Sequence, residues 1–151
     1  MTYHVLLVAS TGGHLAQLME LRPWWTELKR TWVTFDKADA RSSLRGEDVV
    51  HAHHPTTRNL PNALRNFVLA ERVVADTSPQ LVVSTGAGVA VPFFVAARRR
   101  GIATLYLEVY DRIDSPTLTG RLCRPMASEF CVQWDEQRSL YPGAELVGTI
   151  L

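Results

Sequence analysis

A Rossmann-like, doubly wound parallel α/β sheet is the fold class this sequence predicts, on three observations. Short apolar runs alternate with helix-length segments along the chain. Runs such as Val5-Leu6-Leu7-Val8-Ala9 and Leu81-Val82-Val83 are apolar at nearly every position, as strands covered on both faces require. Two of them lead straight into glycine-rich turns that open helices, Ser10-Thr11-Gly12-Gly13-His14 and Ser84-Thr85-Gly86-Ala87-Gly88. With 46% hydrophobic and 21% charged residues, the 151-residue chain is expected to form one domain over residues 1–151 with a sizeable core.

The elements follow in order. His4–Ala9 is the first strand, and the first helix runs from Gly13 to Glu20 and fades at Pro23. Trp32–Phe35 is a short second strand, and the polar stretch 36–48 reads as a loop with a helical turn. Val49-Val50-His51 is the third strand, followed by a turn-rich connector through Pro55, Thr56, Thr57 and Arg58. A long helix spans Leu60 to Ala75, with Leu64 and Val68 flanked by Phe67 and Leu69 in a broad apolar stripe. Leu81–Ser84 is the fourth strand, and its glycine turn opens another helix. Thr104–Val109 is the fifth strand, Leu118–Ala127 is helical, and Phe130–Gln133 is the last central strand. The apolar end, Gly148-Thr149-Ile150-Leu151, is expected either to pack or to continue into a longer chain.

Composition excludes several classes. A formal net charge of +1 gives no field for nucleic acid or an acidic partner. Cys123 and Cys131 have neither zinc nor redox spacing, and no signal peptide precedes the first strand, so a reduced, cytoplasmic protein is expected. The longest apolar candidate, Val89–Ala97, is about half of the roughly 20 residues that span a bilayer, and it carries Pro92. Neither glycine turn completes the Gly-x-Gly-x-x-Gly pattern of nicotinamide enzymes. His51, His53 and His54 lack the cysteine or paired carboxylates that would complete a metal set. There is no Asp-x-Asp motif, and neither a metal nor another cofactor is expected.

Open parallel sheets bind ligands at the carboxyl edge of their strands, near the point where strand order reverses. Both glycine turns lie at that edge. His14 falls in the first helical turn, where a neutral, base-competent imidazole is expected. The segment Leu107-Glu108-Val109-Tyr110-Asp111-Arg112 leaves the fifth strand at the same edge with two carboxylates and a guanidinium, and Gln133-Trp134-Asp135 closes the sixth.

These residues resemble a group of glycosyltransferase subunits. The likeness rests on the two glycine turns, on Glu108 through Arg112, and on Thr117-Leu118-Thr119-Gly120-Arg121-Leu122 followed by Gln133-Trp134 and Tyr141-Pro142. The group is the bacterial polysaccharide-biosynthesis proteins of the PssD/CpsF type. Their eukaryotic relative is the membrane-anchoring subunit of the enzyme adding the second N-acetylglucosamine to dolichyl-diphosphate sugar. A weaker likeness, mainly Gly12-Gly13-His14, extends to the single-chain transferase that makes peptidoglycan lipid II. The resemblance implies the N-terminal, acceptor-binding half of a GT-B glycosyltransferase, with a second subunit carrying the nucleotide-sugar site. It further implies a polyprenyl-diphosphate-linked acceptor, an inverting, metal-independent transfer from a UDP-sugar, and no activity without the partner.

On that resemblance, His14 is a base for the acceptor hydroxyl or a donor to its diphosphate; otherwise it is a helix-capping histidine. Thr11, Gly12, Gly13, Thr85, Gly86, Ala87, Gly88, Asp111 and Arg112 are candidate substrate contacts, although tight turns and loop ordering also account for them. Glu108 is an alternative base, a ligand for a sugar hydroxyl, or an ion-pair partner of Arg112. Gln133 and Trp134 read as structural or partner-facing, and Trp24 and Trp25 as packing residues, with interface or membrane contact as the alternative. Peripheral contact with the cytoplasmic face of the membrane is expected at one of two places. These are Leu60, Leu64, Phe67 and Val68 beside Arg58, Arg65 and Arg72, or Val91–Phe94 backed by Arg98-Arg99-Arg100. The rival classes are a scaffold that recruits a catalytic partner and a nucleotidyltransferase using Thr11-Gly12-Gly13-His14. The latter lacks a second basic phosphate-binding motif near the chain's end.

Overall fold

The computed structural model describes residues 2–150, and the expected packing of Leu151 lies outside them. The strands are β1 (His4–Ala9), β2 (Lys29–Phe35), β3 (Val49–Ala52), β4 (Leu81–Gly86), β5 (Ala103–Leu107), β6 (Glu129–Val132) and β7 (Glu145–Leu146). The helices are α1 (Gly13–Glu20), α2 (Arg22–Trp25), α3 (Ala38–Ser43), α4 (Leu60–Thr77), α5 (Ala90–Arg99), α6 (Leu118–Cys123) and α7 (Gln137–Leu140). All strands are parallel in one seven-stranded sheet ordered β3-β2-β1-β4-β5-β6-β7, the Rossmann-like arrangement. Strand order reverses between β1 and β4.

Alternation along β1 divides the core. Leu6 and Val8 join Val82, Tyr106, Phe130 and the apolar faces of α4 and α5 on one side. Val5, Leu7 and Ala9 join Leu15, Leu18, Trp25, Trp32 and Ala40 on the other, under α1, α2 and α3. Trp25 packs edge-on against Trp32, with ring centroids 5.3 Å apart. Burial pushes the Cys123 thiol up to about 12, with the Glu108 carboxylate adding to the shift, so this cysteine is no nucleophile.

The elements depart from expectation where tertiary pairing outweighs local pattern. β2 starts at Lys29 because its polar first residues pair with His4 and Val5 of β1. α4 continues to Thr77 and ends on Ser78 in the left-handed region, with the Asn59 side chain capping its start. β5 stops at Leu107 and α6 at Cys123, both short of expectation. Pro23 occupies the first turn of the unexpected helix α2, where a missing N–H costs nothing. α7 and β7 are likewise additional. The Val91–Phe94 surface is corrected: Pro92, Phe93 and Phe94 are buried between the sheet and neighbouring helices, so they offer nothing to a membrane.

One ion pair fastens β2 to the turn before β3. Arg30 donates through Nη2 and Nε to the two Glu47 oxygens at 2.7 and 2.8 Å, and Trp32 Nε1 donates to Oε2 at 2.9 Å. The Arg30 hydrogen bond holds the Glu47 carboxyl below its usual range. A carboxylate with a lowered native pKa stabilises the fold above its unfolded value, 4.5, and that stabilisation is lost as pH falls through the native value. Glu47→Gln is therefore expected to lower urea stability by about 1–2 kcal/mol at pH 7. The gap from wild type should narrow toward pH 3.

Candidate active-site cleft

The site is built where β1 and β4 end. Ser10 N–H donates to the Gly86 carbonyl at 2.9 Å, joining the two glycine turns. Gly12 has φ +77°, and its N–H donates to Asp39 Oδ2 at 2.8 Å. No side chain among the described residues caps the start of α1, which leaves the helix's first amides for a ligand. His14 and Thr85 are bonded twice. The Thr85 carbonyl lies 2.8 Å from His14 Nδ1, and Thr85 Oγ1 donates to the His14 carbonyl at 2.6 Å. Because a carbonyl only accepts, Nδ1 carries the hydrogen. In the neutral ring Nε2 then holds a free lone pair.

Gly86 has φ +103°, and a Cβ there would lie 3.0 Å from His14 Nδ1 and 3.1 Å from the Tyr106 hydroxyl. The backbone conformation favours glycine, and a Cβ would crowd the His14 ring and the Tyr106 hydroxyl. At Gly88 a Cβ would meet Thr56 Oγ1 at 3.2 Å, so this turn lies against the connector after β3. Ala87 and Thr11 are half-buried, and Thr85 is buried.

A cleft of ≈260 Å³ is lined by Gly13, His14, Gln17, Val109, Tyr110, Asp111 and Arg112. The structure thus brings together His14, its turn, and the Asp111-Arg112 loop. Asp111 and Arg112 are exposed and in no ion pair among the described residues. Side chains after β6 hold this loop by its carbonyls. Gln137 Nε2 donates to Val109 and Arg112 at 3.0 and 3.1 Å, and Trp134 Nε1 donates to Tyr110 at 2.6 Å.

Glu108 is a correction. Its side chain is wholly buried, does not line the cleft and makes no ion pair with Arg112. Oε2 accepts from Thr117 Oγ1 at 2.9 Å and from the Tyr141 hydroxyl, and Oε1 accepts from Val109 N–H at 3.1 Å. Burial, then the Glu108 carboxylate, raises the Tyr141 hydroxyl well above its ordinary value, keeping it a donor. A Cβ on Gly120 would sit 2.7 Å from Glu108 Oε2 and 2.9 Å from Thr117 Oγ1. The Thr117, Gly120 and Tyr141 pattern therefore packs one buried carboxylate, and Glu108 is structural rather than a base.

The histidines in and after β3 diverge. His51 faces Asp36 at 4.0 Å, and His54 lies against Phe35 with ring centres 5.3 Å apart. Gln17 and Gln137 were missed in the sequence. Buried glutamines beside a strand end are a signal, but they have no period and no motif.

Comparison with known proteins adds context. The family model described as "Oligosaccharide biosynthesis protein Alg14 like" matches residues 49–150. The chain is similar to the UDP-N-acetylglucosamine transferase subunit ALG14 of Eremothecium gossypii, 33% identical over 98% of this chain and 80% of that one. It is also 30% identical to a Lachnoclostridium phytofermentans enzyme over 57% of this chain and 23% of that protein. That enzyme is the UDP-N-acetylglucosamine–N-acetylmuramyl-(pentapeptide) pyrophosphoryl-undecaprenol N-acetylglucosamine transferase. Among solved structures, Acinetobacter baumannii MurG superposes with TM-score 0.80 at 20% identity, over 99% of this chain and 46% of that chain. The match is to the N-terminal half of that GT-B fold, and the chain spans less than half of the solved protein's length.

Gly86→Ala is expected to lower stability by about 1–3 kcal/mol, through left-handed strain and the collision with His14. The neutral His14 ring should also lose its Nδ1–H preference, read by ¹⁵N NMR. An unchanged His14 spectrum contradicts the tie between the two turns.

Proposed function

The chain belongs to the Alg14-like family of oligosaccharide biosynthesis proteins, and from that premise we propose that it is the acceptor-binding, membrane-associated subunit of a two-chain GT-B glycosyltransferase. Residues 1–151 act as one acceptor domain of the PssD/CpsF type. A second subunit supplies the UDP-sugar, which is transferred to a polyprenyl-diphosphate-linked saccharide at the cytoplasmic face of the membrane. The observation that carries this reading is the His14 ring. It is fixed by Thr85 with Nε2 free, in a cleft shared with open helix-start amides and the unpaired Arg112.

Charge placement sets the roles. The α1 start at Gly13 and the Arg112 guanidinium face an anionic diphosphate favourably. The acceptor hydroxyl beside His14 attacks the anomeric carbon held by the partner. The new C–O bond forms on the face opposite the departing UDP, and His14 Nε2 takes the hydroxyl proton. Orientation of the hydroxyl is the larger contribution of this chain, and it requires the partner. No step calls on a metal.

Membrane contact falls to the outer face of α4. Leu60, Leu64 and Val68 are 60–72% exposed there, with Leu118 and Leu122 of α6 across a groove and Arg58, Arg65 and Arg121 nearby. Exposed apolar side chains beside arginines suit an anionic bilayer. No helix among the described residues is long and apolar enough to cross a membrane.

Co-expression with a nucleotide-sugar-binding partner, followed by transfer to a polyprenyl-diphosphate acceptor, tests the reading. His14→Ala should retain partner binding and lose about 10²- to 10⁴-fold in transfer rate. Unchanged transfer would leave only the scaffold role. Leu64→Asp with Leu118→Asp should abolish sedimentation with anionic vesicles at an unchanged melting temperature. Undiminished sedimentation removes α4 from the membrane.

A further inference from the structure

We propose that Gln133 is a positioning residue that couples the segment 147–150 to the His14 cleft. What the cleft binds rests on the reading above, whereas the coupling rests on hydrogen bonds alone. Gln133 follows β6 at the carboxyl edge and is 2% exposed. Its Nε2 donates to the Glu108 carbonyl at 3.1 Å and to Gln17 Oε1. Its Oε1 accepts from Ile150 N–H at 2.8 Å, and Gln17 Nε2 donates to the Ile150 carbonyl at 2.8 Å. Two side-chain amides and the Ile150 backbone close a ring.

The ring joins three parts that chain order keeps apart. Gln17 lies on α1 one turn beyond His14 and lines the cleft beside it. Glu108 begins the loop that forms the opposite wall. The 147–150 segment starts where Val147 N–H donates to the Val132 carbonyl at 2.9 Å. Gln133 also reaches the loop a second way. Its N–H donates to Gln137 Oε1 at 2.8 Å, and Gln137 holds the Val109 and Arg112 carbonyls.

The amide has one workable orientation. Flipping it would set an NH2 against Ile150 N–H and an oxygen against the Glu108 carbonyl. Withdrawing Ile150 leaves the buried Gln133 oxygen and Gln17 amide unpaired together. Both then seek new partners at the expense of the cleft walls. Gln133 acts through Gln17 and the Glu108 carbonyl and touches no reacting atom.

Hydrogen–deuterium exchange on the full chain by NMR tests the coupling. Gln133→Met should raise exchange about tenfold or more at Ile150, at Glu108, Val109 and Arg112, and at Gln17, all together. Ile150→Pro leaves Gln133 intact and removes the N–H it accepts, so it should raise exchange at the same 108–112 amides. Faster exchange confined to 147–150, or a uniform rise that tracks a lower melting temperature, overturns the proposal. In the two-chain enzyme, Gln133→Met should raise the acceptor KM about tenfold with kcat and the UDP-sugar KM nearly constant. Coupled exchange with an unchanged acceptor KM supports the coupling and contradicts the acceptor reading of the cleft.

Discussion

Two hydrogen bonds running in opposite directions between His14 and Thr85 hold the tip of β4 against the first turn of α1. They cross the point where strand order reverses, between β1 and β4. There the helices depart to opposite faces of the sheet and leave a crevice. A third bond, from Ser10 N–H to the Gly86 carbonyl, closes the junction. Thr85 takes the Nδ1 hydrogen, which directs the other imidazole nitrogen away from the junction. A side chain at Gly86 would crowd the ring where it lies.

Beneath the crevice lies a polar layer that the cleft never exposes. A buried carboxylate without a cation persists only when donors surround it, and Thr117, Tyr141 and the Val109 amide surround Glu108. Gln137 and Trp134 fasten the next residues by their carbonyls. The Thr117, Gly120, Tyr141 and Trp134 positions that carry the family likeness therefore form the foundation of the cleft wall. The wall itself presents Tyr110, Asp111 and Arg112. Rigid support under an open, one-sided cleft suits a site completed by a second molecule.

Sequence pattern revealed the centre of the fold more sharply than its margins. β1 and α1 are legible to the residue, because an apolar run and a glycine pair bound them. β7, of only two residues, has no pattern to read, and Pro23 looks like a stop although a helix's first turn accepts it. α5 is apolar on nearly every side, which conceals whether Phe93 and Phe94 face lipid or sheet. The direction of Glu108 was hidden for another reason. Its partners lie far along the chain at Thr117 and Tyr141, and at a strand's end alternation no longer assigns a face. Gln17 and Gln133, joined across the chain, gave no local sign of each other.

The central claim is that this cleft receives the lipid-linked acceptor and leaves the nucleotide sugar to another chain. Titrating isotopically labelled protein in bicelles, first with a short-chain polyprenyl-diphosphate sugar and then with a UDP-sugar, measures it directly. Saturable shifts at Gly13, His14, Gln17 and Arg112 with the lipid alone are predicted. The same shifts with the UDP-sugar alone, and none with the lipid, would contradict it.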